Sequence, residues 1–366
     1  MVAGTGSGKS IVVAVLLRLY KQYCHYKCLV IVPTKDLVNQ TSEDIALYGN
    51  DVGIYCGDKK DINHDHVVST WQALQNNKIL VGMFQVIIVD EAHGSKATAL
   101  KSLCNEDGAN AAVKIGVTGT LPEDESERMN VRISLGNVLY TVPAHVLMEQ
   151  GWLAELHLHM IQLEEDFKEK WKIFQIEYPE EASKLTYNKF KDEYFPEYDN
   201  EMDYLKNNES RNNFIVNMIE TAKEIRGNCL VLVNGIAYGK ELASKIPNAY
   251  FIYGKDKNKV RKEIYKRFAE HDDIVLITSF QIGSTGLNIR RIFSLFIIDA
   301  ERSFIRVIQS IGRGLRKAAD KDAIHVYDIG SDLKSSKAQM AARKRMYKKE
   351  NYKFDFKKID YANYNT

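Results

Sequence analysis

Short, mostly apolar runs alternate with longer amphipathic stretches along most of this chain. In the first half they fall at 28–32, 67–69, 86–90 and 113–117, each bounded by polar turn residues. A run that is apolar at every position suits a strand buried on both faces, and its alternation with helices predicts a parallel sheet covered on both sides, an α/β domain. From about 160 to 205 the pattern stops, and 13 acidic and 6 basic residues surround Trp171, Phe174, Tyr178, Tyr187, Phe190, Tyr194 and Phe195. So many aromatic residues among charges predict amphipathic helices that pack on the rest of the protein, not a solvated linker. Apolar runs resume at 228–233, 249–253, 274–278, 295–299 and 323–328, which reads as a second α/β domain. The expected division is therefore 1–158, a charged helical connector at 159–208, 209–331, and a tail at 332–366.

Composition supports this picture and adds a segregation of charge. A chain of 366 residues is long for one domain and invites two with a cleft between them. Hydrophobic residues make up 45% and charged residues 27%, the balance of a folded globular protein. The formal net charge of +2 conceals the acidic connector and a basic tail, where 331–366 carries 10 basic and 4 acidic residues. That tail interleaves its lysines with Tyr347, Tyr352, Phe354, Phe356, Tyr361 and Tyr364. Basic plus aromatic suits a nucleic acid, and a helix packing its rings inward with lysines facing water suits the pattern equally. No apolar run approaches the ~18 residues of a membrane span, and no charged-then-apolar leader precedes the first motif. Five scattered cysteines (Cys24, Cys28, Cys56, Cys104, Cys229) fit a reducing compartment, so the expected location is cytoplasmic, the host cytoplasm if the gene is a phage's. Cys24, His25, Cys28 and Cys56 match no common zinc spacing and read as plain side chains, while His64 and His66 read as solvated loop residues.

The chemistry begins at the N-terminus. Ala3-Gly4-Thr5-Gly6-Ser7-Gly8-Lys9-Ser10 is a phosphate-binding loop: its glycines let backbone N–H groups wrap phosphates at the start of the following helix. Lys9 would reach the β and γ phosphates, and the small hydroxyl of Ser10 leaves room for a hydrated Mg²⁺. The run 86–90 then delivers two carboxylates at its end. Asp90 completes a Mg²⁺ shell, and Glu91 is placed to polarise the water that attacks the γ phosphorus. Loop and carboxylates together point to ATP hydrolysis.

With Asp90-Glu91-Ala92-His93 the chain resembles the superfamily 2 DExH (DEAH-box) helicases, and further stretches look like that family's motifs in order. Val32-Pro33-Thr34-Lys35-Asp36-Leu37, Ser69-Thr70-Trp71-Gln72-Ala73-Leu74 and Thr118-Gly119-Thr120 look like motifs Ia, Ic and III. Residues 228–235 stand where motif IV belongs. Gly283-Ser284-Thr285-Gly286-Leu287-Asn288 looks like motif V, and Gln309-Ser310-Ile311-Gly312-Arg313-Gly314-Leu315-Arg316 like motif VI. The resemblance implies two RecA-like domains with ATP and Mg²⁺ between them. Gly4 to Ser10 and Gly286 would surround the nucleotide, and Arg313 and Arg316 would reach the γ phosphate to stabilise the transition state. It further implies backbone contacts to nucleic acid by Pro33, Thr34, Lys35, Thr70 and Thr285. His93, Gln309, Thr118 and Thr120 would couple the ATP state to that grip. A finer resemblance, through Ile31-Val32-Pro33-Thr34, Thr70-Trp71-Gln72, Leu147-Met148-Glu149 and Ile311-Gly312-Arg313, is to the UvsW-type recombination helicases of tailed phages. That implies DNA in preference to RNA, single-stranded or branched, and unwinding, branch migration or annealing. Restriction-type translocases share most of these letters, and an ATP-gated DNA clamp and an inactive piece of a motor are the alternative readings.

One feature sets this chain apart from the family pattern. Only Met1 and Val2 precede Ala3, whereas a loop of this kind hangs from a strand of about five residues. The expectation is a first sheet that lacks most of its loop-bearing strand and has a gap in its interior. An internal methionine taken as the start, or a separately encoded upstream segment, would account for it.

Overall fold

The computed structural model describes residues 1–366 except 5, 76, 95–96, 123, 196, 257, 286–288, 290, 301–306, 309–310, 313, 316, 319 and 364–366; at 36, 94, 97–98, 258–259, 281 and 284–285 it describes the backbone only. The chain divides into two compact units, Met1–Gln150 and Gly151–Thr366.

In the first unit, β1 (Val2–Ala3) leads through the phosphate loop into α1 (Lys9–Cys24), followed by β2 (Cys28–Val32), α2 (Lys35–Leu47), β3 (Val52–Cys56), β4 (Lys59–Lys60), β5 (His66–Thr70), α3 (Trp71–Gln75), α4 (Lys78–Val81), β6 (Val86–Asp90), α5 (Ala97–Lys101), β7 (Val113–Val117), α6 (Glu125–Leu135), β8 (Thr141–Val142) and α7 (Ala144–Glu149). Six strands form one sheet in the order β4-β3-β5-β2-β6-β7, parallel except for β4. Because successive residues of a strand point to opposite faces, the all-apolar β2 feeds two cores at once. Cys28, Val30 and Val32 pack with Val13 and Leu17 of α1 and Ile45 of α2, while Leu29 and Ile31 pack with Trp71, Leu74 and Leu103 on the other face.

The interior gap expected in this sheet is absent. The loop-bearing strand is a two-residue stub that lies outside β7, parallel to β8 through Val2 and Thr141 and bridged to Thr118 at the end of β7. The Met1 amine donates to the Gly116 carbonyl at 2.7 Å, and Ala3 N–H donates to the Thr118 carbonyl at 2.8 Å. The stub's position at the flank of the sheet, not between β2 and β6, is why its shortness leaves the six strands contiguous.

The second unit contains β9 (Glu155–Leu163), α8 (Lys168–Glu177), α9 (Pro179–Ala182), α10 (Tyr187–Glu193), α11 (Tyr198–Asn207), α12 (Glu209–Arg226), β10 (Cys229–Val233), α13 (Ile236–Lys245), β11 (Ala249–Ile252), α14 (Asn258–Glu270), β12 (Val275–Ser279), α15 (Phe280–Thr285), β13 (Ser294–Ile298), β14 (Ala323–Ser331), α16 (Lys334–Lys349) and β15 (Phe354–Ile359). Its seven strands are all parallel, in the order β11-β12-β10-β13-β14-β9-β15. Val231, Val275, Phe296, Ile298 and Ile329 pack beneath Ile215 and Ile219 of α12 and Leu242 of α13.

Three readings of the sequence need correction here. The boundary expected at 158–159 cuts through β9, which pairs along its whole length with β14 and belongs to the second sheet. Its alternation Glu-Leu-His-Leu-His-Met hides it from a search for unbroken apolar runs. The tail expected as a separate segment supplies α16 and the edge strand β15, and Tyr347, Tyr352 and Tyr361 are buried in the unit. The connector's aromatic residues form their own cluster around Phe167, Phe190, Met202 and Leu205, closed by Leu333. Finally, His66 is a buried strand residue, 1% exposed, and not a solvated loop residue. His64 is a surface residue held between Asp51 and Asp61 at 2.6 and 2.9 Å.

Candidate functional site

The loop between β1 and α1 turns through Gly6 and Gly8, whose φ angles of 86° and 83° lie in the left-handed region that glycine enters without a Cβ clash. Gly8 is the N-cap of α1 and offers no side-chain acceptor, and the first turn of the helix contains no acidic residue. The N–H groups there therefore keep their positive end of the helix dipole open to an anion. Lys9 folds its ammonium back onto the Ala3 and Gly4 carbonyls, at 2.9 and 3.2 Å. Lys9, Ser10 and Asp90 share one crevice with Val13, Val30, Thr41 and Ile45. Thr41, on α2, carries no motif signal and is found at the site only through the fold.

Asp90 ends β6, and its Oδ1 accepts the backbone N–H of Glu91 at 2.9 Å. Burial and the neighbouring Glu91 push its carboxyl up to about 6, against the opposing pull of Lys9. A carboxylate so short of compensation gains most from a cation. Glu91 adopts φ 48°, a conformation costly for a long side chain, and its Oε2 is buried with no hydrogen-bond partner among the described residues. The Ser7 hydroxyl is in the same condition. Uncapped N–H groups, an undercompensated Asp90 and a small Ser10 hydroxyl fit a nucleotide triphosphate with Mg²⁺, and Glu91 Oε2, which accepts no hydrogen bond among the described residues and lies 3.4 Å from His93 Nδ1, fits a general base for a water.

Behind Glu91, His93 Nδ1 lies 2.6 Å from the Thr118 hydroxyl, which itself donates to the Thr120 carbonyl at 2.7 Å. A hydroxyl already donating must accept from the ring, so His93 carries its proton on Nδ1. Burial lowers the basicity of this imidazole, consistent with a neutral ring. His93, Thr118 and Thr120 thus form one chain leading from the carboxylates to the end of β7, where Thr118 also bridges to Val2 of the stub.

The residues assigned to nucleic acid sit at the same ends of the parallel strands. Thr34 and Lys35 are exposed beyond β2, Pro33 is half-buried, and the Thr34 hydroxyl caps α2 by accepting from Leu37 N–H at 3.4 Å. Thr70 differs: it is 2% exposed, and its hydroxyl accepts from Ala73 N–H at 3.3 Å. Its side chain is committed to capping α3, leaving the exposed pair Thr34–Lys35 as the better-placed contacts. In the second unit α15 ends at Thr285, and Gly283 lies so close to Leu232 that a Cβ would meet its Cδ2 at 2.4 Å. Thr5, Gly286, Gln309, Arg313 and Arg316 lie outside the described residues, as does the side chain of Thr285. Around them, Ile311 and Leu315 are fully buried.

Comparison with known proteins agrees with this geometry. Residues 1–123 match the family model described as the type III restriction enzyme, res subunit, and residues 210–318 match the helicase conserved C-terminal domain. The ATP-dependent DNA helicase uvsW of Enterobacteria phage T4 is 27% identical over 363 residues, covering 95% of this chain and 68% of that protein. Among solved structures, a fragment described as an HsdR subunit of a type I restriction enzyme from Vibrio vulnificus YJ016 has a TM-score of 0.66 at 15% identity, covering 99% of this chain and 64% of that one. S. cerevisiae Dbp5 bound to RNA and ADP BeF3 has a TM-score of 0.62 at 12% identity, covering 98% and 84%. These structural likenesses show the RecA-like fold alone, and the two family matches together with the uvsW relative support a superfamily 2 ATP-dependent helicase similar to the UvsW type.

Proposed function

We propose that this protein couples ATP hydrolysis to movement along DNA and acts on forked or branched duplexes. The observation that carries the chemistry is Glu91, held in a strained backbone beside Asp90, Lys9 and the open start of α1, with its buried Oε2 accepting no hydrogen bond among the described residues and 3.4 Å from His93 Nδ1. Lys9 and the loop N–H groups would hold the phosphates, and Ser10 and Asp90 would hold Mg²⁺, which would supply neutralisation of phosphate charge. Glu91 takes a proton from the attacking water. Arg313 and Arg316 stabilise the charge that develops on the γ phosphoryl group, and Gln309 with His93, Thr118 and Thr120 reports its loss. Thr34 and Lys35 on the first domain, and Thr285 on the second, hold backbone phosphates, so the strand is tracked without being read in sequence. DNA as substrate is supported by the uvsW relative.

A second reading, translocation without strand separation, is favoured by the match of residues 1–123 to a restriction-enzyme subunit. Strand displacement on a forked duplex, measured beside DNA-stimulated hydrolysis, separates the two. Displacement supports the helicase; hydrolysis stimulated by DNA with no displacement supports the translocase; hydrolysis indifferent to DNA refutes both.

A further inference from the structure

Residues 344–358 carry seven basic and two acidic side chains, and they fold as the end of α16, a short turn and most of β15. Part of this stretch builds the core. On α16, Met340, Arg343, Met346 and Tyr347 are buried, and the Asp328 carboxylate of β14 accepts from Arg343 Nε at 2.9 Å and from the Tyr347 hydroxyl at 2.8 Å. Successive residues of β15 alternate between the two faces of the sheet. Asp355 turns to one face, where its Oδ1 lies 2.6 Å from His159 Nδ1, and Ile359 packs into the core there. Phe354, Phe356 and Lys358 therefore stand on the other face, the one that α16 covers. Phe354 is half-buried beside Tyr347, but Phe356 is 39% exposed. Over it lies Lys344, its ammonium 4.8 Å from the centre of the Phe356 ring and 5.8 Å from that of Phe354. Lys348 follows Lys344 by one helical turn, about 6 Å along α16, and Lys358 follows Phe356 by about 7 Å along β15. Lys353 and Lys357 are exposed on the turn and the strand. Nearer the start of α16, Lys337 is paired with Asp192 at 2.7 Å, whereas Lys344, Lys348, Lys353, Lys357 and Lys358 have no carboxylate partner among the described residues. β15 pairs with β9 alone and ends the sheet.

Two ordinary uses of lysine account for part of this surface. Lys348 and Lys349 in the last turn of α16 suit the negative end of the helix dipole, and lysines on an edge strand discourage it from pairing with another chain. Neither use calls for an exposed phenylalanine among the cations, and on an edge strand such a ring is a liability. A ring bordered by ammonium groups that lack carboxylate partners suits a nucleic-acid strand, because the cations follow its phosphates and the ring stacks on a base whatever its identity. We propose that α16 and β15 form a second binding face for single-stranded nucleic acid, in which Lys344, Lys348 and Lys358 contact phosphates and Phe356 stacks on a base. This rests on the reading above that the protein works on DNA, and it adds a grip that lies outside the helicase motifs and wholly within the second unit. Contacts of this kind hold a strand without selecting its sequence.

The test measures binding of a fluorescein-labelled oligothymidylate to the whole chain by anisotropy, between about 50 and 200 mM salt, beside the ATPase rate with and without the same DNA. Lys344→Gln/Lys348→Gln/Lys358→Gln should weaken binding about tenfold to a hundredfold at low salt. It should also flatten the slope of log affinity against log salt by about 2, near 0.7 for each lost phosphate contact. Phe356→Ala should weaken binding about fivefold to a hundredfold with the salt slope unchanged, and Phe356→Trp should bind like the parent. Each replaced side chain is exposed or half-buried, so Tm should stay near the parent's. Should Phe356→Ala loosen the strand, the lysine variant still decides the matter. Lysine and phenylalanine variants that bind with the parent's affinity and salt slope, while DNA still stimulates hydrolysis, overturn this face alone. A loss confined to the lysine variant leaves a merely charged surface and overturns the single-strand site. A parent chain whose hydrolysis ignores DNA overturns the reading above, and the binding of the variants then decides this face separately.

Discussion

The corners after β6 and after β13 are built alike and used differently. Each follows a parallel strand, and each places an acidic residue in the left-handed region: Glu91 at φ 48° and Asp299 at φ 46°. At the first corner Glu91 Oε2 is buried, accepts no hydrogen bond among the described residues and lies 3.4 Å from His93 Nδ1, whereas at the second Asp299 Oδ1 accepts from a fully buried arginine and its Oδ2 accepts none. One strained carboxylate stands beside a second carboxylate and an imidazole, and the other is bound on one oxygen by a guanidinium. The same local geometry thus has an imidazole as its neighbour in one unit and a guanidinium in the other.

The largest effect follows from the first corner. Glu91→Gln should lower kcat for ATP hydrolysis by about 10²–10⁴ while leaving nucleotide binding intact, as loss of a general base does. A variant that hydrolyses at the parent rate would make Glu91 a strand-end residue like any other. At the second corner the leading effect of a single cut should be on stability. Arg211→Met leaves Glu165 and Asp299 buried without their cation and should cost about 3–5 kcal/mol in the unfolding of the second unit, read by urea denaturation. An unchanged midpoint would show that the pair is not holding the corner.

A smaller effect, confined to the first unit, depends on pH. Burial lowers the His66 imidazole to about 4, so the folded protein resists the proton that the unfolded chain binds near 6.5. Stability is complete above about pH 6.5 and falls as the pH drops toward 4, by up to about 3 kcal/mol. His66→Val should flatten that loss in denaturation curves at pH 7 and pH 4.5; an equally steep loss would assign it to other groups. The smallest effect is at Thr34, where Thr34→Ala removes the α2 cap and costs about 1 kcal/mol of stability. It should also weaken DNA binding modestly and equally for all sequences, since the contact proposed is to phosphate. Sequence-dependent weakening would contradict that.

Most of the first corner was legible in the sequence and most of the second was not. Lys9, Ser10, Asp90 and Glu91 stand in two contiguous motifs, and the apolar runs that carry them are buried on both faces, so letters and structure coincide. Arg211 and Asp299 are far apart in sequence and look like ordinary surface charges until the sheet brings them together. β9 and β15 escaped notice for a related reason, because strands near a sheet edge alternate polar with apolar residues, and β9 carries His157 and His159 among its apolar positions. The stub Val2–Ala3 is too short to announce itself by pattern, and only its bonds to Gly116, Thr118 and Tyr140 reveal a strand.

The most direct test is the steady-state ATPase rate of the purified chain with and without a forked DNA duplex, beside the Glu91→Gln variant. The account predicts a rate that DNA raises severalfold and that Glu91→Gln abolishes in both conditions. A rate indifferent to DNA, or one that survives Glu91→Gln, would contradict it.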